Sequence, residues 1–137
     1  MTTRLTVLAV GLICLSVSTG EAQDNWPQFR GPGALGVSDN PNLPDKWSAT
    51  ENIAWKIPMP DRGNSTPIVW GEKIFITQSL EEKQERALLC FDRLDGKLLW
   101  QRTLKYTESE ESHRTNPHCS ESPATDGERI IAVHGSA

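Results

Sequence analysis

Short runs of alternating apolar and polar residues, ended by Gly or Pro, dominate the chain after residue 51. Such period-two runs are typical of β-strands, and the chain has no apolar repeat of the kind that predicts a long helix. Asp95-Gly96 is a strong hairpin signal between two of the runs. The pattern therefore predicts an all-β fold, with strands over residues 52–57, 66–70, 73–77, 86–92, 97–104, 123–126 and 129–134.

Two thirteen-residue phrases nearly repeat each other, STPIVWGEKIFIT at residues 65–77 and ESPATDGERIIAV at residues 121–133. Pro67 matches Pro123 and Gly71 matches Gly127, and both pairs are 56 residues apart. A repeat period near 50 residues indicates a propeller or a solenoid.

A second repeated anchor joins Trp55 to Trp100 at a spacing of 45 residues, and an insertion near residues 105–116 accounts for the difference between the two spacings. The repeating unit then contains four strands and short turns, which is the composition of a β-propeller blade. We expect about one and a half four-stranded antiparallel blades in this chain. Residues 52–57, which carry Trp55, would be an N-terminal closing strand.

The N-terminus reads as a secretory signal peptide over residues 1–22. Arg4 supplies the positive charge, residues 5–17 form the apolar region, and small residues at positions 20 and 22 suit cleavage before Gln23. The apolar region is short for a membrane span. We therefore predict an exported protein, periplasmic or extracellular, with no membrane span after cleavage and with 115 of the 137 residues retained.

Residues 23–50 are rich in Pro, Gly, Asn and Asp, and this density excludes a regular helix or strand. The segment still carries large apolar side chains, so we expect it to be extended and packed on the propeller. Those side chains belong to Trp26, Phe29, Leu35, Val37, Leu43 and Trp47. Residues 51–137 would then form the first, incomplete blades.

The formal net charge of −4 argues against a nucleic-acid partner, because phosphate binding needs clustered Lys and Arg. Two cysteines follow the predicted signal peptide, Cys90 and Cys119. An exported chain can join such cysteines in a disulfide, and the sequence leaves this open. Cys90 lies in an apolar run and suits a small buried position.

The stretch CFDRLDGKLLW, residues 90–100, resembles the repeat of PQQ-like (pyrroloquinoline-quinone-like) β-propeller proteins, whose pattern is roughly A-x-D-x-x-T-G-K-x-x-W. The chain departs from that pattern at Cys90 and Asp95. It matches the pattern at Asp92, Gly96, Lys97 and Trp100. WPQFRGP (residues 26–32) and RTNPHCSESP (residues 114–123) are also similar to segments of a secreted bacterial group of such proteins.

The resemblance implies that the motif locks neighbouring blades together and binds no cofactor. Structural blade-docking roles are implied for Asp92, Gly96, Lys97, Trp100 and Trp55. Gly96 permits a positive φ in the turn, and Asp92 can accept hydrogen bonds from that turn. A propeller closes with four to eight blades, so we expect this chain to be the N-terminal part of a protein of several hundred residues.

Two loops that precede the innermost strands are the best candidates for contacting a ligand at the propeller top face. Their candidate residues are Arg62, Asn64, Ser65, Asn116, His118, Cys119 and Glu121. The second loop has side chains of the types that bind zinc or copper, but their spacing matches no closed site. We assign no catalytic residue, no cofactor-binding residue and no metal ligand, and we expect a structural role for His134.

Two functions fit this reading. The first is an exported PQQ-like β-propeller that acts as a binding or scaffolding module for other proteins or a small ligand. The alternative is a periplasmic quinone-dependent oxidoreductase with pyrroloquinoline quinone as its cofactor. The resemblance implies adjacent cysteines and acidic calcium ligands for such an enzyme, and this sequence has no Cys-Cys pair and no acidic calcium loop. We favour binding and leave enzyme activity open.

Overall fold

The computed structural model describes residues 25–107, 111, 113, 115, 116 and 118–135. In these residues the helical structure consists of two short 3-10 turns, Pro32–Ala34 and Glu81–Lys83, and the all-β class is confirmed. The predicted signal peptide, residues 1–22, lies outside the described residues. Across the described ranges, no helix has the length and apolarity that crossing a membrane requires.

Four strands form one antiparallel sheet in sequence order, as the short turns predict. They are β1 (Ile68–Trp70), β2 (Lys73–Leu80), β3 (Glu85–Asp92) and β4 (Leu98–Lys105). A second sheet consists of β5 (Ala124–Thr125) and β6 (Ile130–Ile131), both shorter than the sequence predicts. Strands were thus predicted at all six of these places.

The core is built around a row of side chains that runs across the larger sheet. Ile68 lies opposite Phe75, Phe75 opposite Cys90, and Cys90 opposite Trp100. Directly opposed residues point to the same face, so the four side chains pack side by side. Ile68, Phe75 and Cys90 are buried, and the rings of Phe75 and Trp100 lie 5.9 Å apart. Ile130 of β6 packs against this row and attaches the second sheet to the first.

The turn between β3 and β4 has the hydrogen bonds that its sequence predicts. The Asp92 side chain accepts a hydrogen bond from the Leu94 amide at 2.8 Å, and the Gly96 amide donates to the Asp92 carbonyl at 3.0 Å. Gly96 has a φ of 74°, and the Lys97 side chain is exposed. The indole N–H of Trp55 donates to the Arg93 carbonyl at 3.0 Å, so this tryptophan is docked on the turn.

The strand predicted over residues 52–57 does not form in the described chain, and the expected closing strand is corrected on this point. The backbone turns there: the Ser48 amide bonds to the Glu51 carbonyl, and Asn52 has a φ of 57°, outside the β region. A strand also needs a neighbour for its backbone groups, and none of the described strands pairs with these residues. Trp55 is held by its side chain instead.

Residues 25–27 connect the two sheets. Trp26 exchanges backbone hydrogen bonds with Val69 of β1 at 2.8 and 2.9 Å, and the Pro27 carbonyl accepts from the Thr125 amide of β5 at 2.8 Å. The Asn25 side chain accepts from the Gly71 amide. Further along, the large apolar side chains of the extended segment are exposed, and these belong to Phe29, Leu35, Val37, Leu43 and Trp47.

Replacing Gly96 with alanine should destabilise the fold strongly. A Cβ there would lie 2.6 Å from Cε3 of the Trp55 ring, and the positive φ disfavours any L side chain. We expect the unfolding free energy in urea to fall by about 2–4 kcal/mol, from backbone strain and the forced shift of the indole. The matched control is Gly33→Ala, which has a similar φ of 63° but meets its nearest atom at 3.6 Å. Equal losses for both variants would contradict the docking of Trp55.

Candidate functional site

A cleft of about 420 Å³ lies beside the middle of β2. The strand β1 pairs with β2 over Lys73–Phe75, and beyond Phe75 the loop of residues 61–66 takes the place of a neighbouring strand beside β2. The cleft is lined by Met59, Asp61, Arg62, Gly63, Asn64, Ile76, Thr77, Gln78 and Thr115. It therefore combines one apolar side, formed by Met59 and Ile76, with a polar side.

The two loops predicted from the repeat meet at this cleft. The Asn64 side-chain amide donates to the Thr115 carbonyl at 3.1 Å, and the Thr66 amide donates to the Ser122 hydroxyl at 2.9 Å. Thr66 and Ser122 occupy corresponding positions in the two repeated phrases, 56 residues apart. Equivalent positions of the two copies of the repeated phrase are thus joined by a direct hydrogen bond.

Thr77 of β2 is the residue that ties both loops to the sheet. Its amide donates to the Ser65 hydroxyl at 3.2 Å, and its own hydroxyl donates to the Glu121 carbonyl at 2.6 Å. The neighbouring Gln78 is also buried, and its side-chain amide donates to the Arg62 carbonyl. Buried polar side chains in the second half of β2 therefore fix the backbone of the cleft.

The candidate residues fall into two groups. Arg62 and Asn64 line the cleft and are exposed, whereas Ser65 is half-buried and holds the backbone of Thr77. The second-loop candidates lie around the cleft without lining it, with Asn116 and Glu121 exposed, His118 half-buried and Cys119 buried. The structure thus brings the two loops together but turns only part of the predicted set towards the cleft.

Sequence reasoning missed Asp61 and Gln78. The signal for Gln78 was present, because Thr77, Gln78 and Ser79 interrupt the apolar run of β2 with polar residues at buried positions. Burying polar groups is costly unless they are hydrogen-bonded, so such an interruption indicates a specific bonding role. Asp61 gave no such signal, since its partners depend on how the loop folds back.

The Asp61 carboxylate accepts one backbone hydrogen bond on each oxygen at the edge of the cleft. It accepts the Glu81 amide at 2.9 Å and the Arg62 amide at 2.7 Å. These two hydrogen bonds, with a smaller contribution from the Arg62 charge, lower the pKa of the Asp61 carboxyl below its usual value of 3.8. Asp61 therefore stays ionised and holds the start of the loop against the end of β2.

Cys119 lies behind the cleft with its thiol buried. Cys90 and Cys119 are both free, so the disulfide left open by the sequence is absent from the described structure. The Cys119 Sγ is 3.3 Å from Nδ1 of His134, and burial raises the pKa of the Cys119 thiol to about 11. Burial also lowers the pKa of His134. At neutral pH this is a neutral thiol beside a neutral imidazole, unlike the ion pair of a nucleophilic cysteine.

A buried cation lies near the same thiol. Arg86 of β3 is 8% exposed, donates to the Ser79 hydroxyl at 2.9 Å and lies 3.7 Å from a Glu81 carboxylate oxygen. Its guanidinium also stacks 3.8 Å from the centre of the Tyr106 ring.

Within the described ranges, no three His, Cys, Asp or Glu side chains are close enough to hold a metal ion together.

Comparisons with family models, with curated proteins and with solved structures found no match to this chain. The resemblance to PQQ-like repeats thus stays a prediction from the sequence.

Removing the Thr77 hydroxyl should weaken the link between the loops and the sheet. Thr77→Val keeps the side-chain shape and leaves the Glu121 carbonyl without this donor. We expect the unfolding free energy in urea to fall by about 0.5–1.5 kcal/mol, the usual net contribution of one intramolecular hydrogen bond. The control is Thr103→Val on the exposed side of β4, which should change stability little. A loss no larger than that of the control would contradict the role of Thr77.

The Asp61 carboxylate should contribute to acid stability. Because its pKa is lower in the folded than in the unfolded chain, its contribution is present above pH 3.8 and is lost as the pH falls through the folded value. The unfolding free energy of wild type should therefore decline more steeply below pH 4 than that of Asp61→Asn. Asp45→Asn, at an exposed position, should keep the wild-type slope. Identical slopes for Asp61→Asn and wild type would refute this role.

Proposed function

We propose that this chain forms the first blades of an exported PQQ-like β-propeller. The four-stranded antiparallel sheet in sequence order has the strand arrangement of one blade, and in this proposal the β5–β6 hairpin begins the next blade. Two Trp–Gly contacts support this arrangement. A Cβ on Gly96 would lie 2.6 Å from the Trp55 ring, and one on Gly127 would lie 2.4 Å from the Trp70 ring. Each contact joins a tryptophan to a turn in a different part of the chain.

We further propose that the protein acts as a binding or scaffolding module and that partners bind in the cleft beside β2. The observation that carries this proposal is the meeting of the two repeat-related loops at one cleft, through Asn64 with Thr115 and Thr66 with Ser122. In a propeller such loops precede the innermost strands, so further blades would extend the same surface. The volume of about 420 Å³ falls in the range of small-ligand sites.

The chemistry of the cleft suits a ligand with a carboxylate and an apolar portion. The adjacent Asp61 already bonds to two backbone amides, so it does not consume the exposed guanidinium of Arg62 as a bidentate pair would. Arginine is the side chain best suited to a carboxylate, and Met59 and Ile76 offer apolar contacts beside it. A side chain or the C-terminus of a partner protein provides both groups.

Peptide display tests this proposal. A library of random peptides with free C-termini is selected on the exported protein, and enriched peptides are measured on variants. Arg62→Ala combined with Asn64→Ala should weaken binding about tenfold to a hundredfold, since a charge-assisted hydrogen bond contributes about 1.5–3 kcal/mol. The matched control is Arg102→Ala, which removes an exposed arginine from β4. Peptides that bind wild type and the double variant with equal affinity would refute the assignment of the cleft as the binding site.

A titration with pyrroloquinoline quinone and Ca²⁺ separates this function from the oxidoreductase alternative. A binding module should leave the absorption spectrum of the quinone unchanged. A saturable spectral change that requires Ca²⁺ would overturn the proposal and favour the enzyme.

A further inference from the structure

The buried thiol of Cys119 and the half-buried imidazole of His134 have no part in the proposed binding, yet they join the segments on either side of the β5–β6 hairpin. Cys119 lies in the loop before β5, and His134 follows β6. We refer to residues 118–122, which contact the cleft-lining residues from behind without lining the cleft themselves, as the cleft wall. Because Sγ of Cys119 is 3.3 Å from Nδ1 of His134, the neutral thiol can donate its hydrogen to that nitrogen.

The backbone of Cys119 needs this support. Its φ of 63° lies in the left-handed region, which disfavours every residue with a Cβ except by compensation from its surroundings. The thiol is 1% exposed, so the side chain fills a closed space and the turn cannot relax without moving it. The contact with His134 therefore holds the cleft wall in a conformation that the backbone alone does not favour.

This conformation supports residues that line the cleft, among them Gly63 and Thr77. The Cys119 carbonyl lies so close to Gly63 that a Cβ on Gly63 would be 3.4 Å from it. Two residues later the Glu121 carbonyl receives the Thr77 hydroxyl, and Ser122 receives the Thr66 amide. A movement of Cys119 would disturb each of these contacts, because all of them belong to one short segment.

We propose that Cys119 and His134 form a pH-sensitive closure of the binding cleft, in which protonation of the His134 imidazole releases the cleft wall. Protonation removes the acceptor at Nδ1 and places a cation in a half-buried position. This proposal depends on the proposed function in one respect, because it takes the cleft beside β2 to be the binding site.

The charges around the pair determine the direction of the switch. Burial is the largest effect on His134 and lowers its pKa, the Glu121 carboxylate favours a positive charge there, and Arg86 opposes it. Around Cys119, burial is again dominant, and the charges are Arg86, Glu121 and Glu81. Since burial and Arg86 both disfavour the imidazolium in the closed state, a proton binds more tightly once the wall has opened and His134 is hydrated.

Opening should therefore increase as the pH falls below the ordinary imidazole value of 6.5. Between the pKa of the open state and that of the closed state, the open fraction rises by up to about tenfold per pH unit. Above pH 7.5 the imidazole is neutral in both states, and the open fraction should become independent of pH.

The test measures alkylation of the two cysteines in the intact protein by iodoacetamide between pH 7.5 and 5.5. Each rate is divided by the rate of the matching unfolded peptide at the same pH, which removes the effect of thiol ionisation. Mass spectrometry of the two cysteine-containing peptides then gives separate protection values. We expect Cys119 to lose protection by up to about tenfold across this range, while the protection of Cys90, buried in the sheet, stays constant.

Two outcomes would overturn the closure. Constant protection of Cys119 would show that the imidazole does not control the wall, and equal loss at Cys90 would show that the whole fold opens. In His134→Gln the pH dependence should disappear, whereas the exposed control His113→Gln should retain it. The wild-type pH series decides the question even if the His134 variant fails to fold. No ligand is used, so failure of the closure is distinguishable from failure of the binding function.

Discussion

The row of side chains that crosses the larger sheet is the constraint on which the rest of this structure depends. Cys90 occupies its centre, between Phe75 on one strand and Trp100 on the other. A small side chain fits there because the aromatic rings on both sides fill the remaining space. A slip of one residue in any strand would move its members to the opposite face, so this row fixes the register of all four strands.

The same strand register determines where the cleft lies. With Phe75 opposite Cys90, Thr77 falls opposite Leu88, two residues beyond the end of the β1 pairing. On the side where β1 has ended, Thr77 is then free to bond to Ser65 and Glu121. The position of the candidate site thus follows from core packing, and the polar residues of β2 then attach the two loops there.

The sequence predicted the parts of the fold that depend on local signals. Strands β1 to β4 lie where alternation, Gly71 and Asp95-Gly96 indicate, since turn chemistry and side-chain period act over a few residues. The strand predicted over residues 52–57 failed because strand formation needs a hydrogen-bonded neighbour, which a local pattern does not reveal.

The same distinction separates the predicted and the missed parts of the site. The repeat indicated that the loops carrying Arg62 and Glu121 are equivalent, and the structure brings these loops together. The partners of Asp61 and the contact of Cys119 with His134 depend on backbone turns that bring separated residues into contact. The left-handed conformation of Cys119 is unusual for a cysteine, so no residue preference pointed to it.

The link between the N-terminal residues and both sheets has a consequence for the order of folding. The Pro27 carbonyl accepts a hydrogen bond from the Thr125 amide. Pro27 is synthesised early and Thr125 late, so this hydrogen bond cannot form until most of the described chain has been made. During that interval the β1–β4 hairpins can form from contacts close in sequence, whereas the backbone hydrogen bonds of Trp26 and Pro27 must wait for Val69 and Thr125. Closing so long a loop is entropically costly, and residues 25–27 should therefore join at the end of folding.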